Sequence, residues 1–131
     1  MPDFDPAVVN RWIKMIAAQY DRKAGNINYI FCSDYRILEV NKQYLQHDYF
    51  TDIITFDYSS GSVIAGDIFT SLDTIADNAR QLGVIYSDEL HRVLIHGILH
   101  LCGQDDKSPE TQADMTAKEN AAIEILQKEF I

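Results

Sequence analysis

The stretch HGILHLCGQDD, positions 96 to 106, restricts the possible folds more than any other part of the chain. Histidines four apart suit a helix: a four-residue step then turns through about 400° and rises about 6 Å, which stacks His96 and His100 on one face with their rings able to converge on one ion. Gly103 can take the left-handed conformation that ends a helix, letting the chain turn back so that Asp106 reaches the same ion. Any fold for this sequence must therefore present the C-terminal end of a helix with a reversal after it.

The rest of the chain supplies elements to hold such a helix. Asp5-Pro6 is a start signal, and Val9, Ile13, Ile16, Ala17 and Tyr20 recur at helical spacing, which predicts a first helix over about 6–21. INYIFCS, 27–33, is β-branched and aromatic and reads as a strand. Asp34 is placed to cap a second helix to about 46. Two β-rich runs around Ser59-Ser60-Gly61-Ser62 predict a hairpin over 52–71, with Gly66 marking a bulge or a close approach of another backbone or a ligand. Thr70 with Asp73 forms a capping box for a third helix ending near Gly83, and Ser87 is expected to cap a fourth. Ser108-Pro109-Glu110 opens a fifth that runs almost to Ile131. This order predicts one α+β domain over 1–131: a small mixed β-sheet covered by about five helices, with the metal site at the end of the fourth.

Composition narrows the function. The net charge of −9 argues against sequence-independent adhesion to nucleic acid, leaving Arg11, Lys14, Arg22, Lys23, Arg36 and Lys42 as the only sources of a local basic patch. Cys32 and Cys102 form no CxxC pair, so neither a redox motif nor a disulfide framework is indicated. MPDFDPAVV has none of the features of a signal peptide, and no apolar run reaches the length of a membrane span, so a cytoplasmic protein is expected.

His96, His100 and Asp106 make HxxxHxxGxxD, the spacing of the long metzincin zinc signature with an acid in the third ligand position. Three nitrogen and oxygen ligands leave one tetrahedral position of zinc open, as a catalytic site requires. Asp105 is a rival third ligand, and Cys102 is expected to pack inward. In HExxH peptidases the residue after the first histidine is the glutamate that acts as general base. Here it is Gly97, so a peptidase lacks its base, although a glycine there would let another backbone or a bulky substrate approach the metal. Glu110 and Asp105 are the acids nearest in sequence.

HGILHLCGQDD resembles the HGxLHLxGYDH signature of the YbeY family of bacterial endoribonucleases and ribosomal RNA maturation factors. NKQYLQHDYFTDIITFDY, 41–58, and AGDIFTS, 65–71, are similar to two further blocks of that family, and Met115 and Glu119 fall where it has a Met and a Glu. The resemblance spans roughly 27–126. It implies one zinc per chain on His96, His100 and Asp106, the last standing where the family has a third histidine. It also implies single-strand endoribonuclease activity in maturation of the 16S rRNA 3′ end and in ribosome quality control. The implied partners are ribosomal RNA and small-subunit ribosomal proteins; neither DNA nor a membrane is expected. Leu45 departs from the family, which has an arginine implicated in RNA cleavage there. His47 and Arg92 are the candidate substitutes as substrate contacts, an ion pair with Asp88 one turn back being the more ordinary reading of Arg92. Two other readings stand beside the nuclease: an assembly or RNA-binding factor with a mainly structural zinc, and a metallopeptidase.

Overall fold

The structure, a computed structural model, describes residues 6–33, 53–104 and 108–129. Helix α1, Pro6–Gln19, buries Val9, Ile13, Ile16 and Ala17 as the spacing predicts, and Trp12 besides. It ends two residues short of the expected position, because Asp21 adopts a left-handed φ of 58° and Arg22 N–H closes back on Ala17 O at 2.9 Å. Aspartate tolerates that conformation better than most residues. The chain then enters strand β1, Lys23–Cys32, four residues earlier than the composition suggested.

Strands β2, Ile53–Asp57, and β3, Val63–Ser71, form the expected hairpin, closed by a bridge between Ser60 and Val63. The sheet order is β1-β3-β2, with β3 central, parallel to β1 and antiparallel to β2. Side chains alternate across a strand, so Ile64, Ile68 and Thr70 of β3 share one buried face. Ile54 and Phe69, paired across β2 and β3, lie on the other, where they pack with Cys32 and Phe56.

Helix α2, Leu72–Leu82, follows β3 without a loop. Its N-cap is Ser71, whose hydroxyl accepts the N–H of Thr74, and not Thr70. Thr70 is paired within the sheet and fully buried, so its hydroxyl cannot serve the helix; among the described residues that oxygen has no partner. Gly83 closes the helix at φ 69°, as expected.

Helix α3, Tyr86–Leu101, carries the histidine motif. It starts at Tyr86, with Ile85 in the N-cap position making no side-chain cap, so Ser87, expected to cap it, falls at the second helical position. From Leu90 onward it is buried except at Arg92, His96 and His100, a stripe of period four. A helix buried on nearly every side belongs to the centre of a domain. Helix α4, Pro109–Glu129, begins with Ser108 Oγ accepting from Thr111 N–H at 3.1 Å and buries Met115, Glu119, Ala122 and Leu126. Trp12 ties the layers together: its indole N–H donates to Ala122 O at 2.8 Å and its ring meets His91 edge-on. The fold is thus α+β, a small mixed sheet with four helices among the described residues. The helix expected over 34–46 lies outside them.

Candidate metal centre

Helix α3 lies against the sheet where two glycines let it come close. A Cβ at Gly97 would sit 3.0 Å from Ile53 Cδ1 and 3.1 Å from Ile68 Cδ1. Gly66 of β3 is the close approach that its place in the strand suggested, since a Cβ there would lie 2.2 Å from Phe56 O and 3.2 Å from Leu101 Cδ2. Gly97 therefore faces packed isoleucines and leaves no space for a substrate, which corrects the sequence reading.

On the stripe of partly exposed residues, His96 Nε2 and His100 Nε2 approach to 3.0 Å with their rings edge to face at 4.6 Å. Each ring is fixed from behind. His96 Nδ1 lies 2.6 Å from Glu119 Oε2, and His100 Nδ1 lies 3.0 Å from the backbone carbonyl of Gln104. A carboxylate and a carbonyl can only accept, so both Nδ1 atoms act as donors, and with both rings neutral the two Nε2 atoms present lone pairs to one another. Lone pairs at that distance repel unless a cation or a proton lies between them. Two tetrahedral zinc–imidazole bonds would set the nitrogens about 3.3 Å apart, close to what the backbone imposes here. The donor set fits a borderline-soft divalent ion.

The turn after α3 delivers the second of these supports. Gly103, at φ 99°, donates its N–H to His100 O, and Gln104 N–H reaches back to Leu99 O, both at 2.9 Å. This pair of bonds is the Schellman ending of a helix, and it swings Gln104 O onto the His100 ring. Among the described residues no group of three or more His, Cys, Asp or Glu side chains surrounds one point. Asp106, its rival Asp105, Leu45 and His47 lie outside those residues. Glu110 is exposed in the first turn of α4, where the helix dipole favours its charge.

Arg92 does not pair with Asp88. Its Nη1 donates to Glu119 Oε1 at 3.0 Å and its Nη2 to Asn120 Oδ1 at 2.7 Å. A cleft of about 160 Å³ opens here, lined by Ile53, Glu89, Arg92, Val93, His96 and Glu119. Glu119 is the residue of this cleft that spacing alone passed over, named only through the family likeness and given no role. Cys102 is half-buried against the core beside Tyr20, and burial raises its thiol above the ordinary range despite Arg22 and Lys118 nearby.

With this geometry in view, the likeness to known proteins is extensive. The family model described as Endoribonuclease YbeY matches residues 5–127. A protein of Bacteroides thetaiotaomicron called Endoribonuclease YbeY is 59% identical over 123 residues, covering 94% of this chain and 90% of its own. Its namesake in Parabacteroides distasonis is 55% identical over 129 residues, covering 98% and 91%. The solution structure of TM1509 from Thermotoga maritima superposes with a TM-score of 0.67 at 27% identity, over 93% of this chain and 81% of that one.

Proposed function

The chain belongs to the YbeY endoribonuclease family, and we propose that it cuts single-stranded ribosomal RNA at a zinc centre formed by His96, His100 and Asp106. The role we assign is maturation of the 16S rRNA 3′ end and ribosome quality control, in the cytoplasm and alongside small-subunit ribosomal proteins. No helix among the described residues is long and apolar enough to cross a membrane. The observation that carries the reading is the convergence of two Nε2 atoms 3.0 Å apart on rings whose Nδ1 atoms already bind oxygen.

Zinc held by His96, His100 and Asp106 would supply Lewis-acid chemistry for a phosphoryl oxygen and for water. The residues of the chain do the rest. His96 and His100 keep their Nε2 lone pairs aimed at one point, so little reorganisation is needed when the ion arrives. Ile53 and Val93 give the adjoining cleft an apolar wall, which strengthens electrostatic effects at its polar edge. The guanidinium of Arg92 is engaged with Glu119 and Asn120, which leaves His47 as our candidate contact for phosphate.

Zinc analysis and a single-strand cleavage assay, in preparations freed of contaminating nuclease, test this. We expect one zinc per chain and metal-dependent cleavage, both lost in His100→Ala. Cleavage that survives in that variant would show that the activity comes from elsewhere. A second reading, an RNA-binding assembly factor with a mainly structural zinc, draws on Leu45 at the family's arginine position and on the net charge of −9. Under it, RNA binding persists while no cleavage is attributable to the zinc site. The peptidase reading has no such support, because position 97 is filled by the contact with Ile53 and Ile68.

A further inference from the structure

We propose that Glu119, held by Arg92, is the positioning residue of the metal centre: it fixes the tautomer and orientation of His96 from α4 and thereby sets how tightly the metal binds. The inference rests on His96 being a metal ligand, as argued above.

Three features single out this carboxylate. It is buried, 7% exposed, on the apolar side of α4 formed with Met115, Ala122 and Leu126. A charged group there is tolerated only where it is paired. Both of its oxygens are spoken for, Oε2 by His96 Nδ1–H at 2.6 Å and Oε1 by Arg92 Nη1–H at 3.0 Å. Arg92 is braced in turn, because its second nitrogen donates to Asn120 Oδ1 at 2.7 Å, on the residue that follows Glu119 in α4. The guanidinium fork thus spans two consecutive residues of one helix while its own helix, α3, carries the imidazole. Carboxylate, ring and guanidinium close a loop between α3 and α4, and within it the carboxylate can move toward neither partner without loosening the other.

The physical consequence concerns affinity. Were His96 free to carry its proton on Nε2, part of the population would present an N–H to the metal and would have to exchange it first. A carboxylate on Nδ1 removes that population and makes Nε2 a stronger donor. Arg92 has the lesser effect, since its loss leaves the carboxylate in place but unbraced.

The test measures zinc affinity on the full chain by competition with a chromophoric chelator, together with the Nδ1–H proton resonances of the zinc-loaded protein. Glu119→Gln should lower affinity about 10- to 100-fold and move the His96 Nδ1–H resonance upfield, while that of His100, which donates to Gln104 O, stays in place. Arg92→Met, at a partly exposed position, should give a smaller loss in the same direction; it remains informative if Glu119→Gln folds poorly. Unchanged affinity and an unmoved His96 resonance in both variants would overturn the proposal. His96→Ala separates this from failure of the metal reading: if that variant binds zinc as the parent does, the ligand assignment is wrong. If it loses zinc while the other two keep it, only the role of Glu119 falls.

Discussion

A glutamate at position 97 would complete the peptidase motif HExxH, and it would have nowhere to go. Its Cβ alone would press on Ile53 and Ile68 at 3.0 and 3.1 Å, and its carboxylate would be carried into the apolar contact between α3 and the sheet. Overpacking and an unpaired buried charge act in the same direction, so Gly97→Glu should cost more than about 3 kcal/mol and yield no peptidase. Chemical denaturation followed by circular dichroism measures it, and a variant as stable as the parent would mean that α3 does not lie on those isoleucines. The reason for this glycine was not legible in the sequence, where a missing side chain beside a histidine suggests space for substrate as readily as close packing. Glu119 could have been found. Met115, Glu119, Ala122 and Leu126 repeat at intervals of four, three and four, and a charge at a core position of that repeat asks for a partner. What no pattern could supply was the partner's identity, because Arg92 and His96 lie more than twenty residues back and meet Glu119 only through the packing of two helices.

Helix ends do as much for the centre as the side chains do. The ending of α3 turns Gln104 O onto His100 Nδ1, so the conformation of one glycine governs the direction of one imidazole. A β-branched residue at φ 99° is strained by about 1–2 kcal/mol. Gly103→Val should relieve that strain by giving up the reversal, and with it the carbonyl that fixes the ring. Zinc affinity should then fall several-fold more than in Cys102→Ala, which leaves the backbone as it is; equal affinities by chelator competition would mean that the turn does not control the site. This ending was readable in advance, because glycine after an apolar periodic run has a specific backbone use. The start of α3 was not: Ser87 is a good cap by type, yet the helix begins at Tyr86 and Ile85 holds the cap position without a side-chain bond. Cap preferences are worth about 1 kcal/mol, less than the burial of an apolar helix, so packing decides where such a helix begins.

The molecule as a whole places the stripe of Arg92, His96 and His100 at the margin of a core that does not depend on it. Trp12, Ile64, Ile68, Leu94, Ile98 and Leu126 are buried without help from the histidines, joining α1, the sheet, α3 and α4 into one apolar cluster. A metal held there would add a link across the α3–α4 seam, where two imidazoles converge and one of them leans on a carboxylate of the other helix. A ligand that binds only the folded chain stabilises it by mass action, about 2.7 kcal/mol at a hundredfold excess over Kd. For a domain of 131 residues that corresponds to roughly 10 °C in Tm. The net charge of −9 adds to the effect, since a divalent cation relieves part of the self-repulsion of an acidic chain, and more so at low salt. Chelation should therefore lower Tm by that amount while leaving the far-ultraviolet circular dichroism at 25 °C unchanged, and the shift should shrink in His96→Ala to nothing measurable. Loss of helical signal on chelation would instead make the metal a condition of folding, and the support by Glu119 would then belong to the fold before it belongs to the chemistry.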